Sequence, residues 1–156
     1  MNTEKIVTPS QLLELWQGHR RLTRKVIEAF PEDKLFTYNI GGMRSFADLA
    51  MEMINIATPG IKGLISGKWD NLGTEKAPPT KKELLARWDE ITALIDKSWP
   101  QLDITRLQQV EKAFNMFEAP NYWTLFYFID NEVHHRGQGY VYLRSLGIEP
   151  PPFWER

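Results

Sequence analysis

Two of the three histidines in this sequence stand side by side in Asn131-Glu132-Val133-His134-His135-Arg136-Gly137-Gln138. Imidazole suits both metal ligation and proton transfer near neutral pH, so any chemistry is expected here. The stretch reads as part of the longest helix. Asn131 and His135, four apart, then stack on one face. His134 is turned about 100° away, alongside Tyr127, Asp130 and Gln138. Glu132 would be the base beside His135 if a water were activated, but helical geometry turns it from that face. The third histidine, His19, falls on an apolar stripe and reads as a packing residue with one hydrogen bond.

Other chemistries lack their residues. There are no cysteines, which excludes disulfides, thiolate metal sites and a cysteine nucleophile. A thiol would have to arrive on a small cosubstrate. There is no Gly-rich phosphate loop, no G-x-S-x-G and no H-E-x-x-H, and Glu132-Val133-His134-His135 has the wrong order for a zinc-protease helix.

His134-His135-Arg136-Gly137-Gln138, followed by Tyr142-Leu143-Arg144-Ser145-Leu146-Gly147 and Pro150-Pro151-Pro152-Phe153-Trp154, resembles the closing helix and tail of the DinB/YfiT-like family. The resemblance implies an all-α four-helix bundle with a long crossover before the last helix, commonly dimeric. Many such proteins hold a divalent metal with one histidine from the second helix and an H-x-x-x-H pair from the last. Characterised relatives include thiol S-transferases. Carried onto this sequence, the triad becomes Glu52, six residues after Phe46, with Asn131 and His135. Asn55 takes the first place if the register slips by one turn. Only His135 matches the family's imidazoles. One nitrogen and two oxygens favour harder ions such as manganese or magnesium over zinc or nickel, and a neutral amide is a poor zinc ligand. Two readings stand: a weakened divalent-metal site, or a polar pocket without metal in which Glu52 and Asn131 hydrogen-bond His135.

Four amphipathic helices must position these residues. The first is capped by Thr8 with Pro9 and Gln11, buries Leu12, Leu15, Trp16, His19, Leu22, Val26 and Phe30, and stops at Pro31. Gly41-Gly42 lets the connection turn at positive φ. Ser45 caps the second, whose stripe is Phe46, Leu49, Ala50, Met53 and Ala57; Pro59 predicts a kink or break. Residues 68–79 read as a surface loop. The third helix runs from Thr80 to Trp99. Residues 101–119 read as an irregular crossover with one turn near Thr105 to Val110. The fourth runs from about Asn121 to Leu146, ended by Gly147, with Trp123, Phe126, Ile129, Val133, Tyr140 and Leu143 as its apolar mass. Gly137 and Gly139 inside it predict a close approach by another backbone or a ligand. His134 is expected at a helix or subunit contact, and Arg136 is expected to pair with Glu132 or an acid on a neighbouring helix. Trp69, Tyr122, Phe153 and Trp154 fall outside these stripes, and read as packing across the bundle or a mate in preference to walling a pocket.

A chain of 156 residues, 42% hydrophobic and 25% charged, has the size of one domain, taken here as residues 1–156. Nineteen basic and 20 acidic residues leave a net charge of −1 with no basic stripe, which argues against nucleic acid. Met-Asn-Thr-Glu-Lys-Ile lacks a signal-peptide pattern, and no apolar run nears the ~20 residues needed to span a bilayer. A soluble cytoplasmic protein is therefore expected, and the family resemblance implies a homodimer. Its activity is either thiol S-transfer with a divalent metal or, alternatively, metal-free binding of a small ligand or a structural role.

Overall fold

The computed structural model describes residues 6–156. Helix α1 spans Pro9–Ala29, α2 Glu32–Thr37, α3 Phe46–Ser66, α4 Lys81–Ser98 and α5 Asn121–Ser145. A two-stranded antiparallel hairpin, β1 Val110–Ala113 and β2 Phe117–Pro120, sits between α4 and α5. The chain is thus mostly helical, and the small sheet corrects a purely all-α expectation. Each long helix packs on two others: α1 and α3 both lie against α4 and against α5. Trp16, Phe30, Phe46, Ile54, Leu64, Trp88, Ile95 and Leu143 are among the residues filling the space between them.

The expected caps are made. The Thr8 hydroxyl accepts from the Gln11 amide while the Gln11 side chain accepts from the Thr8 amide. Ser45 and Thr80 accept from the Asp48 and Glu83 amides, satisfying donors that a helix start leaves open. Gly41 and Gly42 take φ of 59° and 76°. At the end of α5, Gly147 at φ 74° donates to the Arg144 carbonyl and Ile148 to Leu143, the paired bonds of a Schellman stop.

Three elements depart from the sequence reading. Helix α3 runs unbroken through Pro59. The proline leaves the Asn55 carbonyl without its helical donor, and the Gly73 amide supplies one at 2.9 Å. The crossover holds two 3₁₀ turns, Trp99–Gln101 and Ile104–Gln108, and then the hairpin. The hairpin turns on Phe114 and Asn115, both at positive φ (53° and 58°). Burial of the Phe114 ring, edge-on to Trp69 with centroids 5.2 Å apart, offsets that strain. Finally, Leu15, Trp123, Phe126 and Val133 are exposed, so α5 carries apolar side chains on its outer face as well as its inner one.

At Gly139 the close neighbour is a side chain and not the backbone or ligand expected: a Cβ there would lie 2.4 Å from the Phe46 ring. Gly137 has nothing within 4 Å. Among the described residues no helix is long and apolar enough to cross a membrane.

Candidate functional site

Glu52 on α3 faces Asn131 and His135 on α5, and its carboxylate is where all three meet. Oε1 accepts from Asn131 Nδ2 at 3.1 Å and lies 2.9 Å from His135 Nε2. Oε2 pairs with the Arg44 guanidinium at 2.5 Å. The spacing of four that stacks Asn131 on His135 is what lets one carboxylate reach both. Burial opposes ionisation of Glu52. The hydrogen bonds from Asn131, His135 and Arg44 outweigh it and hold the carboxyl at about 2. His135 Nδ1 lies 2.7 Å from the amide oxygen of Gln138, so both ring nitrogens face oxygens.

Asn55, the alternative to Glu52, is committed elsewhere. Its side chain accepts from the Glu75 amide and donates to the Glu75 carbonyl, both at 3.0 Å. With the Gly73 bond, this pins the 68–79 loop along α3.

Glu132 is turned away from the site, as its position on the helix requires. It is buried between α5 and α1, where Thr23 donates to it at 2.6 Å and Arg20 stands 3.9 Å away. Burial pushes its carboxyl up, against the pull of Arg20. Arg136 does not form the expected ion pair with Glu132; it donates to the His19 carbonyl at 3.1 Å, to His19 Nδ1 at 2.9 Å and to Thr23 at 3.2 Å. His19 is thus a buried acceptor within a charged cluster, with more partners than the single bond expected.

Two neighbouring cavities share Ile56 and Leu72 as walls, and Glu52 lines the first of them. One, of about 500 Å³, is of mixed polarity, running from Arg44 and Asp48 past Glu52 to residues 73–77. The other, of about 320 Å³, is walled by Phe114, Phe117, Trp123 and Tyr127, with Met116 at its rim. Of the aromatics that lay outside the helical stripes, Trp69 is half-buried over Gly63, and Tyr122, Phe153 and Trp154 are exposed. None of them lines the Glu52 groove. The sequence reading missed Arg44 and the hairpin wall. Arg44 lies eight residues before Glu52 across a helix start, a separation no periodicity marks. The hairpin lacks the Asn-Gly or Asp-Gly signal on which such turns are usually read.

The family resemblance implies a divalent cation at Glu52, Asn131 and His135. Among the described residues no three His, Cys, Asp or Glu side chains gather where they could hold one. At Glu52 the carboxylate is already neutralised by Arg44, the amide presents its NH₂ to it, and the imidazole nitrogen nearest the cleft is spent on it. As arranged, these residues do not fit a divalent cation: the Arg44 guanidinium opposes it, and the Glu52 oxygen and the His135 nitrogen that face each other are spent on one another.

The DinB family model matches residues 1–156. The chain belongs to the DinB family. Two solved DinB-like structures share its fold. One, from Bacillus cereus, has a TM-score of 0.74 at 19% identity, covering 92% of this chain and 95% of that one. The other, from Bacillus subtilis, also scores 0.74 at 20% identity, covering 94% and 98%. No curated protein matches. At these identities the likeness speaks for the DinB fold and leaves activity to the site itself.

Proposed function

We propose that this DinB protein, on a four-helix-bundle frame, binds a small molecule without a metal. The apolar part of the ligand occupies the chamber of Phe114, Phe117, Trp123 and Tyr127, and its polar end reaches the Glu52–Arg44 groove. The observation that carries this reading is the Glu52 carboxylate, held ionised by Asn131, His135 and Arg44 in a groove that shares Ile56 and Leu72 with an apolar cavity large enough for a ring. An apolar pocket with a few convergent polar groups is the usual form of a small-molecule site.

A metal-dependent thiol S-transferase is the second reading. The meeting of Glu52, Asn131 and His135 supports it, as does the buried Oδ1 of Asn131, which has no hydrogen-bond partner. It requires Arg44 to release Glu52.

One experiment separates the two. Tag-free protein is assayed for bound metal by elemental mass spectrometry. It is then melted with a panel of aryl and alkyl compounds carrying hydrogen-bonding heads, with and without EDTA. The proposal expects substoichiometric metal and melting shifts that EDTA leaves intact and that Trp123→Ala and Glu52→Gln remove. Near-stoichiometric metal, with a stabilisation that EDTA abolishes and His135→Ala lacks, would overturn it in favour of the second reading.

A further inference from the structure

The chamber between the hairpin and α5 is built of aromatic and aliphatic surface around a single charged side chain, Glu118. Trp123 and Tyr127, four apart, share a face of α5. Phe117 approaches from β2, its centroid 5.7 Å from that of Tyr127 and the planes 66° apart. Phe114 closes the inner side, 6.1 Å from Phe117 at 61°. Rings inclined to one another in this way enclose a space on several sides, which a flat stack would not do. Phe114 is buried, whereas Trp123 and Tyr127 are 65% and 44% exposed. Packing inside the chain therefore accounts for the innermost ring and leaves much of the outer ones uncovered.

The electrostatics of this space have one sign. No Lys or Arg lines it. Among the described residues Glu118 makes no ion pair, not even with Lys112, which stands opposite it in the hairpin register. The face of an aromatic ring carries the negative part of its quadrupole, and Glu118 adds a full negative charge beside the rings. Such walls attract a cation, and the attraction grows as water is excluded.

The kind of cation follows from its solvation. A primary ammonium or a small metal ion is strongly hydrated, and apart from Glu118 and the Tyr127 hydroxyl these side chains offer no oxygen to replace the lost water. A methylated ammonium presents its charge through C–H surface and asks for few hydrogen bonds or none. It therefore suits apolar walls and a carboxylate together. At about 320 Å³ the chamber lies at the small end of the range for ligand pockets, in keeping with a compact head group.

We propose that this chamber receives a methylated ammonium group, seated against Phe117, Trp123 and Tyr127 with Glu118 as its counter-ion. The inference rests on the small-molecule reading of the cavity and narrows it. The ligand is a positively charged methylated amine, and its hydrogen-bonding end extends past Ile56 and Leu72 toward the Glu52–Arg44 groove.

Three soluble probes of similar size test the charge and the methyl groups separately. Choline carries both, 3,3-dimethylbutan-1-ol has the same shape without the charge, and ethanolamine has the charge without the methyls. Each is titrated into the full chain while the indole N–H resonance of Trp123 is followed by NMR, identified by its loss in Trp123→Phe. Choline should bind at least about tenfold more tightly than either of the others. Glu118→Gln should weaken choline about threefold or more and leave the neutral alcohol unchanged. Phe117→Leu and Tyr127→Leu should each weaken choline by a similar factor or more, with circular dichroism confirming that the variants fold. Equal affinity for choline and the neutral alcohol at Trp123 overturns the cation and leaves the small-molecule reading standing. Choline binding that ignores Glu118→Gln and both ring variants overturns the placement. No shift at Trp123 with any probe overturns the inference. If the aryl and alkyl panel also fails to move the melting temperature, the small-molecule reading falls with it.

Discussion

The amide of Gly73 occupies the Asn55 carbonyl that Pro59 strips of its helical donor, at 2.9 Å. A residue that should have interrupted α3 instead creates an attachment point for the 68–79 loop. The Asn55 side chain adds two bonds to Glu75, so three contacts from one residue shape the polar wall of the cavity beside Glu52. Asn55→Ala should therefore cost about 1–2 kcal/mol, read by urea unfolding. Gly73→Ala should cost at least as much, because its Cβ would stand 2.5 Å from Asn55 Oδ1 and 3.1 Å from Asn55 Cα. If both variants unfold like wild type, the loop is not held in this way.

Glu52 gives the fold an acid-sensitive step. Its folded value of about 2 lies below the ordinary 4.5, so the unfolded chain takes up a proton first as pH falls. The stabilisation is complete above about 4.5 and is lost as pH drops toward 2. With the side chain 29% exposed, about 1–2 kcal/mol should disappear between pH 5 and 2.5. Urea unfolding of Glu52→Gln across the same range should show a correspondingly shallower fall. Parallel curves for the two proteins would mean the carboxylate is not held by its three donors.

The extent to which this was legible beforehand follows from the reach of each signal. Helix caps and stripes are written within three or four residues, so Thr8, Ser45, Thr80 and Gly147 could be read directly. The meeting of Glu52 with Asn131 and His135 was readable as far as the family pattern fixed the register. Arg44 was not, because its approach to Glu52 depends on how the Gly41-Gly42 turn delivers the chain to α3. The hairpin was hidden for a different reason: Phe114 adopts a left-handed conformation that its sequence disfavours, and only burial against Trp69 and Phe128 supports it. The outer face of α5 misled because apolar residues at helical spacing look the same whether the helix has one packed side or two.

His19 supplies a second acid step in a different window. Burial, then the guanidinium charges of Arg136 and Arg156, lowers it from 6.5 to about 4. The unfolded chain again binds the proton first, so stability is whole above about 6.5 and declines as pH falls toward 4. The loss between pH 7 and 4.5 should be about 2–3 kcal/mol. His19→Asn should be less stable at pH 7, where it forfeits packing and an acceptor for Arg136, yet show a flatter pH dependence over that interval. Unfolding at the two pH values distinguishes this from a loss of packing alone, which would shift both by the same amount.

Arg44 decides between the two readings of the site. In the wild type its guanidinium neutralises the carboxylate any cation would need, so added manganese, nickel or zinc should move the melting temperature little. Arg44→Gln removes that charge and leaves Glu52 and His135 facing each other, with Asn131 beside them and its amide oxygen unpartnered. Because Arg44 is half-exposed, the variant should lose no more than about 1 kcal/mol without metal. With metal it should gain a thermal stabilisation that EDTA reverses and that Arg44→Gln/His135→Ala lacks. A cation that stabilises wild type as strongly as the variant would show that Arg44 is no barrier, and the metal-independent proposal would fall with it.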